Sequence, residues 1–355
     1  MGIEIDIRKK IGEFQLAVQL KSESSRIGIL GASGCGKSMT LKSIAGIEIP
    51  DQGRISVGDK LLFDSKQKRN TKPQQRKIGY LFQHYALFPH MTVEQNIAAG
   101  VKAEKEEKQK RVREMIRKFR LEGLEKRLPG QLSGGQQQRT ALARIMAYEP
   151  DVILLDEPFS ALDVFLKEQL QSEMEEMLSD YPGIVILVSH SRDEVYRFCE
   201  ELVIMEQGSV VVGGKTKELF VNPQYKEAAK LTGCKNFTDI RRIDAHTARL
   251  TDWGITLCTK EEIPKECTCI GYRAHDFVPI WGDARENCLK VQIEKKAELP
   301  FEVQYYLTPQ REREDISKTE TVIYWFLQRE QRNILEEKGL PDYLQIIEKN
   351  CMFLK

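Results

Sequence analysis

The sequence has little net charge and no long hydrophobic run. Its 54 Lys and Arg residues almost balance 53 Asp and Glu residues, which leaves a formal net charge of +1. Because so neutral a chain has no strong overall field for phosphate backbones, we expect no nucleic-acid partner. The longest aliphatic and aromatic run, residues 322–327, is far shorter than the roughly 20 residues of a membrane-spanning helix. Residues 1–7 lack the basic start and apolar stretch of a signal peptide, so we expect the protein to stay where it is made.

Close cysteine pairs are also scarce. Of the eight cysteines, only Cys267 and Cys269 lie close together, and no second pair follows at the spacing of a zinc site. The pattern predicts reduced, mostly buried thiols in a cytoplasmic protein.

The first two thirds of the chain have the pattern of an α/β domain. Residues 3–7 and 14–20 alternate in hydrophobicity on either side of Gly12, which predicts two strands joined by a turn. Later apolar runs do not alternate, which is typical of strands covered on both faces of a largely parallel sheet. These runs cover residues 27–30, 152–155, 184–188 and 202–205.

The pattern changes near Gly233. After this residue the apolar segments are short and alternating, which predicts a small all-β barrel or sandwich over 235–355. We therefore predict an α/β domain over 1–232, with a helical subdomain at about 84–150, and a smaller β domain after it. No motif occurs twice, so the chain contains one catalytic unit.

Residues 31–38 fit the phosphate-loop pattern G-x-x-x-x-G-K-[ST], between an apolar strand and a helical segment. The glycines allow backbone N–H groups to surround a phosphate, and the following helix adds its positive dipole end. Lys37 would contact the β- and γ-phosphates, and Ser38 would offer its hydroxyl to Mg²⁺. The predicted nucleotide-binding residues are Gly31, Ala32, Ser33, Gly34, Cys35, Gly36, Lys37, Ser38 and Met39.

Two carboxylates follow the apolar run at 152–155. Asp156 is suited to holding Mg²⁺, and Glu157 is suited to polarising a water molecule as a general base. In an α/β sheet such residues lie at the carboxyl ends of the strands, beside the phosphate loop.

Residues 132–139, Leu-Ser-Gly-Gly-Gln-Gln-Gln-Arg, resemble the signature motif of ATP-binding-cassette (ABC) proteins. Here a serine and two glycines begin a helix, which makes a second anion-binding helix start. The resemblance implies a P-loop NTPase cassette fold and a homodimer that holds two ATP molecules at its interface. The residues implied to act on the partner's nucleotide are Ser133, Gly134, Gly135 and Gln136.

Other family motifs follow in the family's order. The resemblance implies that Gln83 contacts Mg²⁺ and the attacking water, that Asp163 belongs to the D-loop, and that His190 faces the γ-phosphate. ATP and Mg²⁺ are thus the implied substrate and cofactor. Phe14 is the candidate for stacking on adenine, with simple core packing as the alternative.

Residues 83–100 are similar to the corresponding segment of bacterial importer ATPases. The resemblance implies that Ala86, Leu87 and Phe88 contact a cytoplasmic helix of a permease, with packing within the helical subdomain as the alternative. The resemblance therefore implies separate transmembrane permease subunits, an extracytoplasmic substrate-binding protein, and a location at the cytoplasmic face of the membrane.

The tail resembles the regulatory TOBE/MOP-like region of molybdate and sulfate importer ATPases, chiefly in residues 232–237, 252–254 and 271–276. This resemblance implies import of molybdate or tungstate and, in some relatives, an oxyanion bound to the C-terminal domain. Sulfate is the close alternative, and sugar, polyamine and iron importers are rivals. An ABC ATPase acting on nucleic acid, or a regulatory oxyanion-binding protein with a degenerate ATPase, are the alternatives outside transport.

Overall fold

The structure is a computed structural model, and it describes residues 2–160, 164–310, 321–328 and 332–355. The chain folds as two compact units, Met1–Lys217 and Glu218–Lys355. Each is described separately below.

An eleven-stranded sheet forms the centre of the first unit, in the order β6-β5-β4-β1-β2-β11-β10-β3-β9-β8-β7. The strands are β1 (Ile3–Ile11), β2 (Phe14–Ser22), β3 (Arg26–Gly31), β4 (Gln52–Val57), β5 (Lys60–Asp64), β6 (Arg69–Asn70), β7 (Ile78–Leu81), β8 (Val152–Asp156), β9 (Ile184–Ser189), β10 (Glu201–Glu206) and β11 (Ser209–Lys215).

The sheet is mixed, and its parallel part positions the site. Strands β10, β3, β9, β8 and β7 pair with one another in parallel, whereas β1 and β2 form the predicted antiparallel hairpin around Gly12. Every residue of β8 and β9 is buried, as expected for strands covered on both faces. Because β3, β9 and β8 are parallel neighbours, their last residues lie at the same edge of the sheet. These residues are Gly31, Ser189 and Asp156.

Helices cover this sheet or connect its strands. In α3, Val112, Met115 and Ile116 are buried while most other side chains face solvent, which is the amphipathic pattern of a surface helix. The described helices of the first unit are α1 (Lys37–Ala45), α2 (Val93–Ala99), α3 (Lys105–Lys118), α4 (Gly134–Ala147), α5 (Val164–Ser179) and α6 (Arg192–Phe198), with short 3-10 helices at Pro73–Gln75 and Pro129–Gln131. Helix α7 (Thr216–Val221) begins in the first unit and ends in the second, which also contains α8 (Lys226–Leu231), α9 (Arg332–Lys338) and the 3-10 helix Glu348–Asn350.

The second unit contains two five-stranded sheets, ordered β14-β13-β12-β15-β21 and β16-β20-β17-β18-β19. Side chains from both sheets form one core, whose largest members are Trp253, Tyr272 and Trp325. The strands are β12 (Asn236–Arg242), β13 (Thr247–Leu250), β14 (Ile255–Cys258), β15 (Cys269–Tyr272), β16 (Val278–Ile280), β17 (Cys288–Glu298), β18 (Glu302–Pro309), β19 (Ile323–Gln328), β20 (Tyr343–Gln345) and β21 (Met352–Leu354).

One element of this unit departs from the predicted all-β pattern. Helix α9 lies within 235–355, where the sequence contains the good helix formers Leu335, Glu337 and Lys338. Leu335 packs against the core of the two sheets, so the helix is held by tertiary contact as well as by propensity. The predicted architecture is nevertheless observed: a large mixed sheet with helices is followed by additional β-sheets.

Among the helices in the described ranges, none is long and apolar enough to span a membrane.

Candidate functional site

The phosphate loop connects the end of β3 to α1 and leaves the first turn of that helix open. Gly36 has φ 104°, a left-handed backbone conformation that favours glycine. A Cβ atom at this position would also lie only 2.6 Å from Leu16 Cδ1, so a larger residue would clash. No side chain caps the N–H groups of the first turn of α1. Those N–H groups, with the positive end of the helix dipole, suit an anion.

Lys37 lies under this loop. Its side chain is buried, and Nζ donates hydrogen bonds to the carbonyl oxygens of Gly31 at 2.8 Å and Ala32 at 2.9 Å. The ammonium group is therefore held at the N-terminus of α1, where its positive charge adds to that of the helix dipole.

Asp156 connects three elements at the sheet edge. Its Oδ1 accepts a hydrogen bond from Ser38 Oγ of α1, and its Oδ2 accepts one from the Tyr80 hydroxyl of β7, each at 2.7 Å. Burial, followed by the hydrogen bond to Asp156 and its charge, raises the pKa of Tyr80. The hydroxyl therefore keeps its proton and remains a donor to this carboxylate.

Glu157 is held in a strained turn directly after β8. Its φ of 47° is unusual for a residue with a side chain, yet the turn is fixed from both sides. Its N–H donates to the Val188 carbonyl at 3.0 Å, and its own carbonyl accepts from Ser160 Oγ at 2.9 Å. His190 Nδ1 lies 3.3 Å from Glu157 Oε2, so the loop after β9 supplies a partner for this carboxylate.

A cavity of ≈ 590 Å³ opens beside these residues. It brings together nine of the predicted site residues, including Gln83 from the segment after β7. The lining residues are Ile11, Phe14, Ser33, Gly34, Gly36, Lys37, Ser38, Met39, Lys42, Glu48, Gln83 and Glu157. Asp156 and His190 do not line this cavity themselves. Asp156 contacts the lining residue Ser38, and His190 contacts the lining residue Glu157.

Phe14 lines the cavity and also packs against the core of the first unit. Its Cζ atom lies 3.3 Å from the point where a Cβ on Gly36 would be, and 3.2 Å from the equivalent point on Gly208. The aromatic ring therefore supports the phosphate loop, and stacking on adenine stays a prediction.

The signature residues form a separate helix start. Ser133 caps α4: its hydroxyl accepts from Gln136 N at 3.3 Å, and Gln136 Oε1 accepts from Ser133 N at 3.0 Å. Gly135 is buried, and a Cβ there would lie 3.0 Å from Leu170 Cδ2. Among the described residues that line the cavity, none comes from 133–136.

Cys35, a predicted nucleotide-binding residue, contributes differently from the cavity residues. The Cys35 side chain is buried in the core, which raises the pKa of its thiol, so only its backbone faces the loop. The predicted D-loop residue Asp163 lies outside the described residues.

Sequence reasoning missed Tyr80, Ile11, Lys42 and Glu48. Tyr80 precedes Gln83 by three residues, but its contact with Asp156 depends on the pairing of β7 with β8. Ile11, Lys42 and Glu48 would have required knowing that the β1–β2 turn and the end of α1 lie around one cavity.

The oxygen groups here suit Mg²⁺. A serine hydroxyl and an aspartate carboxylate lie in hydrogen-bond contact, and the amide of Gln83 lines the same cavity. Mg²⁺ prefers such hard oxygen ligands and keeps several waters, which an open cavity allows.

Three basic side chains of the second unit, those of Lys235, Arg242 and Arg273, contact groups of their own unit. Arg273 donates to the carbonyls of Thr232 and Phe220, and Arg242 donates to those of Asp244 and Ile263. Lys235 lies over the rings of Tyr324 and Phe326 at 5.7 and 5.6 Å from their centroids. These cations therefore stabilise the second unit itself.

Tyr80→Phe tests the bond between β7 and Asp156. We expect the substitution to lower the free energy of unfolding by about 1.5–3 kcal/mol, because it removes a donor from a buried charged acceptor. Tyr181→Phe is the matched control, since the Tyr181 hydroxyl donates to the neutral carbonyl of Pro150 at 2.8 Å and should cost only about 0.5–1.5 kcal/mol. Urea unfolding of both variants measures the difference, and equal losses would show that the Asp156 charge adds nothing.

Comparison with known proteins places the cassette in a family. The family model described as ABC transporter matches residues 16–160. The chain is 42% identical over 230 residues to the sulfate/thiosulfate import ATP-binding protein CysA of Thermosynechococcus vestitus, covering 63% of this chain and 67% of the relative. It is 40% identical to the probable sulfate/thiosulfate import ATP-binding protein of Chlorella vulgaris, over 66% of this chain and all of the relative. The spermidine/putrescine import ATP-binding protein PotA of Clostridioides difficile is 35% identical over 71% of this chain and 69% of its own length.

Solved structures agree with this assignment. A bacterial ABC transporter cassette in dimeric form is 29% identical and superposes with a TM-score of 0.51, covering 60% of this chain and 98% of the other. The post-hydrolysis dimer of an ATP-binding cassette, bound to ADP and Pi, gives a TM-score of 0.50 at the same identity and coverage. Together with the phosphate loop, the paired carboxylates and the helix start at Ser133, these matches show that the chain belongs to the ATP-binding proteins of ABC transporters, a family of ATPases.

Proposed function

We propose that this chain is the ATP-hydrolysing subunit of a membrane importer for a tetrahedral oxyanion and that it works as a homodimer. One observation carries the enzymatic part of the proposal. The Ser38–Asp156 and Glu157–His190 pairs meet at the edge of one cavity, beside the uncapped start of α1.

ATP would bind with its phosphates at the start of α1. The N–H groups of the phosphate loop and the Lys37 ammonium would surround the β- and γ-phosphates and offset their negative charge. Ser38, Asp156 and Gln83 would hold Mg²⁺, which neutralises charge on the phosphate oxygens when bound.

Glu157 is the proposed general base. Its carboxylate accepts a proton from the attacking water as the water oxygen bonds to the γ-phosphorus and the bond to the ADP oxygen breaks. The turn that fixes the Glu157 backbone, and His190 at 3.3 Å, hold the carboxylate in one orientation. A fixed base needs no reorganisation during the reaction.

The second copy of the chain would supply the missing anion contacts. Ser133 and Gly135 begin a helix outside the cavity of their own chain, and this helix start is suited to an anion. In a dimer each α4 start would lie over the γ-phosphate held by the partner. The related cassettes of known structure are dimers.

A surface after β7 suits a permease helix. Tyr85 and Ala86 have positive φ angles, and Arg144 holds their carbonyl oxygens at 3.2 and 2.9 Å. This arrangement presents Phe88, which is 45% exposed, with its ring 5.2 Å from the Arg144 guanidinium carbon. An exposed aromatic side chain beside a loop that is held by an arginine is suited to contact with a partner. Together with the resemblance of residues 83–100 to importer ATPases, this supports a proposed place at the cytoplasmic face of a membrane, against separate permease chains that act with an extracytoplasmic substrate-binding protein.

The proposed substrate class rests on resemblance. Residues 232–237 and 271–276 resemble the tail of molybdate and sulfate importer ATPases, and two relatives, at 42% and 40% identity, are named for sulfate and thiosulfate import. Molybdate, tungstate and sulfate share a tetrahedral dianionic form. Molybdate or tungstate is the proposed substrate, and sulfate is the second candidate that those names favour. Because Arg242 and Arg273 are engaged by backbone carbonyls, the proposal includes no oxyanion site on these side chains.

Glu157→Gln tests the proposed base. We expect ATP hydrolysis to fall by at least about 100-fold, since glutamine cannot accept the proton. Nucleotide binding should be kept, because Lys37 and Ser38 are unchanged. Steady-state phosphate release and equilibrium binding of a fluorescent ATP analogue measure the two effects.

Glu200→Gln is the control for that measurement. Glu200 is an exposed acid that accepts a hydrogen bond from Ser24, before β10, and it should leave hydrolysis unchanged. Wild-type turnover in Glu157→Gln would show that another group takes the proton.

Uptake in cells tests the substrate class. Cells whose only copy of the chain is Glu157→Gln should lose uptake of labelled molybdate and tungstate, while wild-type cells keep it. Loss of labelled sulfate uptake instead would favour the second candidate. Loss of iron or spermidine uptake, with all three oxyanions unaffected, would contradict the proposed class.

A further inference from the structure

Arg76 is a deeply buried cation outside the cavity described above. It lies between the 3-10 helix Pro73–Gln75 and β7, and only 2% of its surface is exposed. Burial lowers the pKa of this guanidinium to about 10. Within the described parts of the chain no carboxylate forms an ion pair with it, so its polar atoms must be satisfied in another way.

Backbone carbonyls at the end of α1 satisfy one side of the guanidinium. Nη1 donates to the carbonyl oxygens of Ser43 at 2.9 Å and Ile44 at 2.6 Å. These carbonyls belong to the last turn of α1, where the Ser43 oxygen also accepts the N–H of Gly46 at 3.2 Å, and the negative end of the helix dipole favours a cation there.

The other side of the guanidinium is bound to the segment before β7. Nε donates to the Thr71 carbonyl and Nη2 donates to Asn70 Oδ1, each at 2.8 Å. Gly46, which ends α1 with φ 79°, packs so closely that a Cβ there would lie 2.6 Å from Arg76 Cζ. The guanidinium thus fills the space between the helix end and this segment.

The same helix and strand are joined again at the site. Helix α1 begins with Lys37 and Ser38, and Ser38 is connected through Asp156 to Tyr80 of β7. Gln83 follows two residues after β7 ends. A nine-residue helix is a short rigid rod of about 13 Å, so movement of its far end also moves Lys37 and Ser38.

We propose that Arg76 is a positioning residue for nucleotide binding. By fixing the end of α1 against the segment that leads into β7, it keeps the phosphate loop and Gln83 in fixed positions relative to each other. This inference rests on the proposed nucleotide site. It predicts that loss of the guanidinium weakens ATP binding although Arg76 lies outside the cavity.

Arg76→Gln and Arg76→Lys test the proposal, with Arg26→Gln as the matched control. Arg26 also donates four hydrogen bonds, all of them to backbone carbonyls, those of Ser25, Gly183, Leu178 and Tyr181, whereas Arg76 donates to three carbonyls and one side-chain oxygen. It stands at the beginning of β3, whereas the phosphate loop follows its end. Replacing either arginine removes a similar set of bonds, but only Arg76 contacts α1.

Equilibrium binding of a fluorescent ATP analogue to the full chain is the readout, with the thermal midpoint recorded for each variant. We expect Arg76→Gln to raise the dissociation constant about tenfold. In steady-state hydrolysis, KM should rise by a larger factor than kcat falls. Arg26→Gln should lower the thermal midpoint comparably but change the dissociation constant less than twofold. Arg76→Lys should be intermediate, because one ammonium reaches fewer of the four acceptors; it decides the matter if the glutamine variant does not fold.

Unchanged affinity in the folded Arg76 variants would overturn the proposal, and so would equal weakening in Arg26→Gln. Failure of the wild-type chain to bind the analogue would instead refute the proposed nucleotide site. The two failures are therefore distinguishable.

Discussion

The hydrogen bond between Ser38 and Asp156 is the contact on which the arrangement of the site depends. It joins the first turn of α1 to the end of β8, while the other carboxylate oxygen is bound by Tyr80 of β7. A carboxylate that is 7% exposed requires partners for its oxygens, so the three elements stabilise one another. The phosphate loop is thereby placed next to Glu157, the proposed base, and both line the same cavity.

The parts of the site that depend on neighbours in sequence could be predicted. The loop over 31–38 needs glycines because its own backbone approaches the core, as Gly36 shows, and the capping pair Ser133 and Gln136 lies within one helical turn. Strands β8 and β9 were also predictable, because continuous burial leaves continuous apolar runs. Each of these features is caused by residues that lie close together in the sequence.

The parts that depend on strand order could not be predicted. Tyr80 reaches Asp156 only because β7 pairs with β8, although α2, α3 and α4 lie between them in the chain. Arg76 reaches the end of α1 for a similar reason, and nothing in its surroundings in sequence distinguishes it from the many exposed basic residues. The same holds in the tail, where the sequence does not show that Arg242 and Arg273 are each bound to carbonyls of their own unit.

We propose that one nucleotide is held by two chains, because Lys37 and Ser38 line the cavity while Ser133 and Gly135 lie outside it. Mixing Lys37→Ala chains with Ser133→Arg chains is the sharpest test, since each variant alone would lack half of every site. We expect that neither variant hydrolyses ATP alone and that the mixture does, because mixed dimers contain one intact site. An inactive mixture, in which mass measurement shows that mixed dimers have formed, would contradict it.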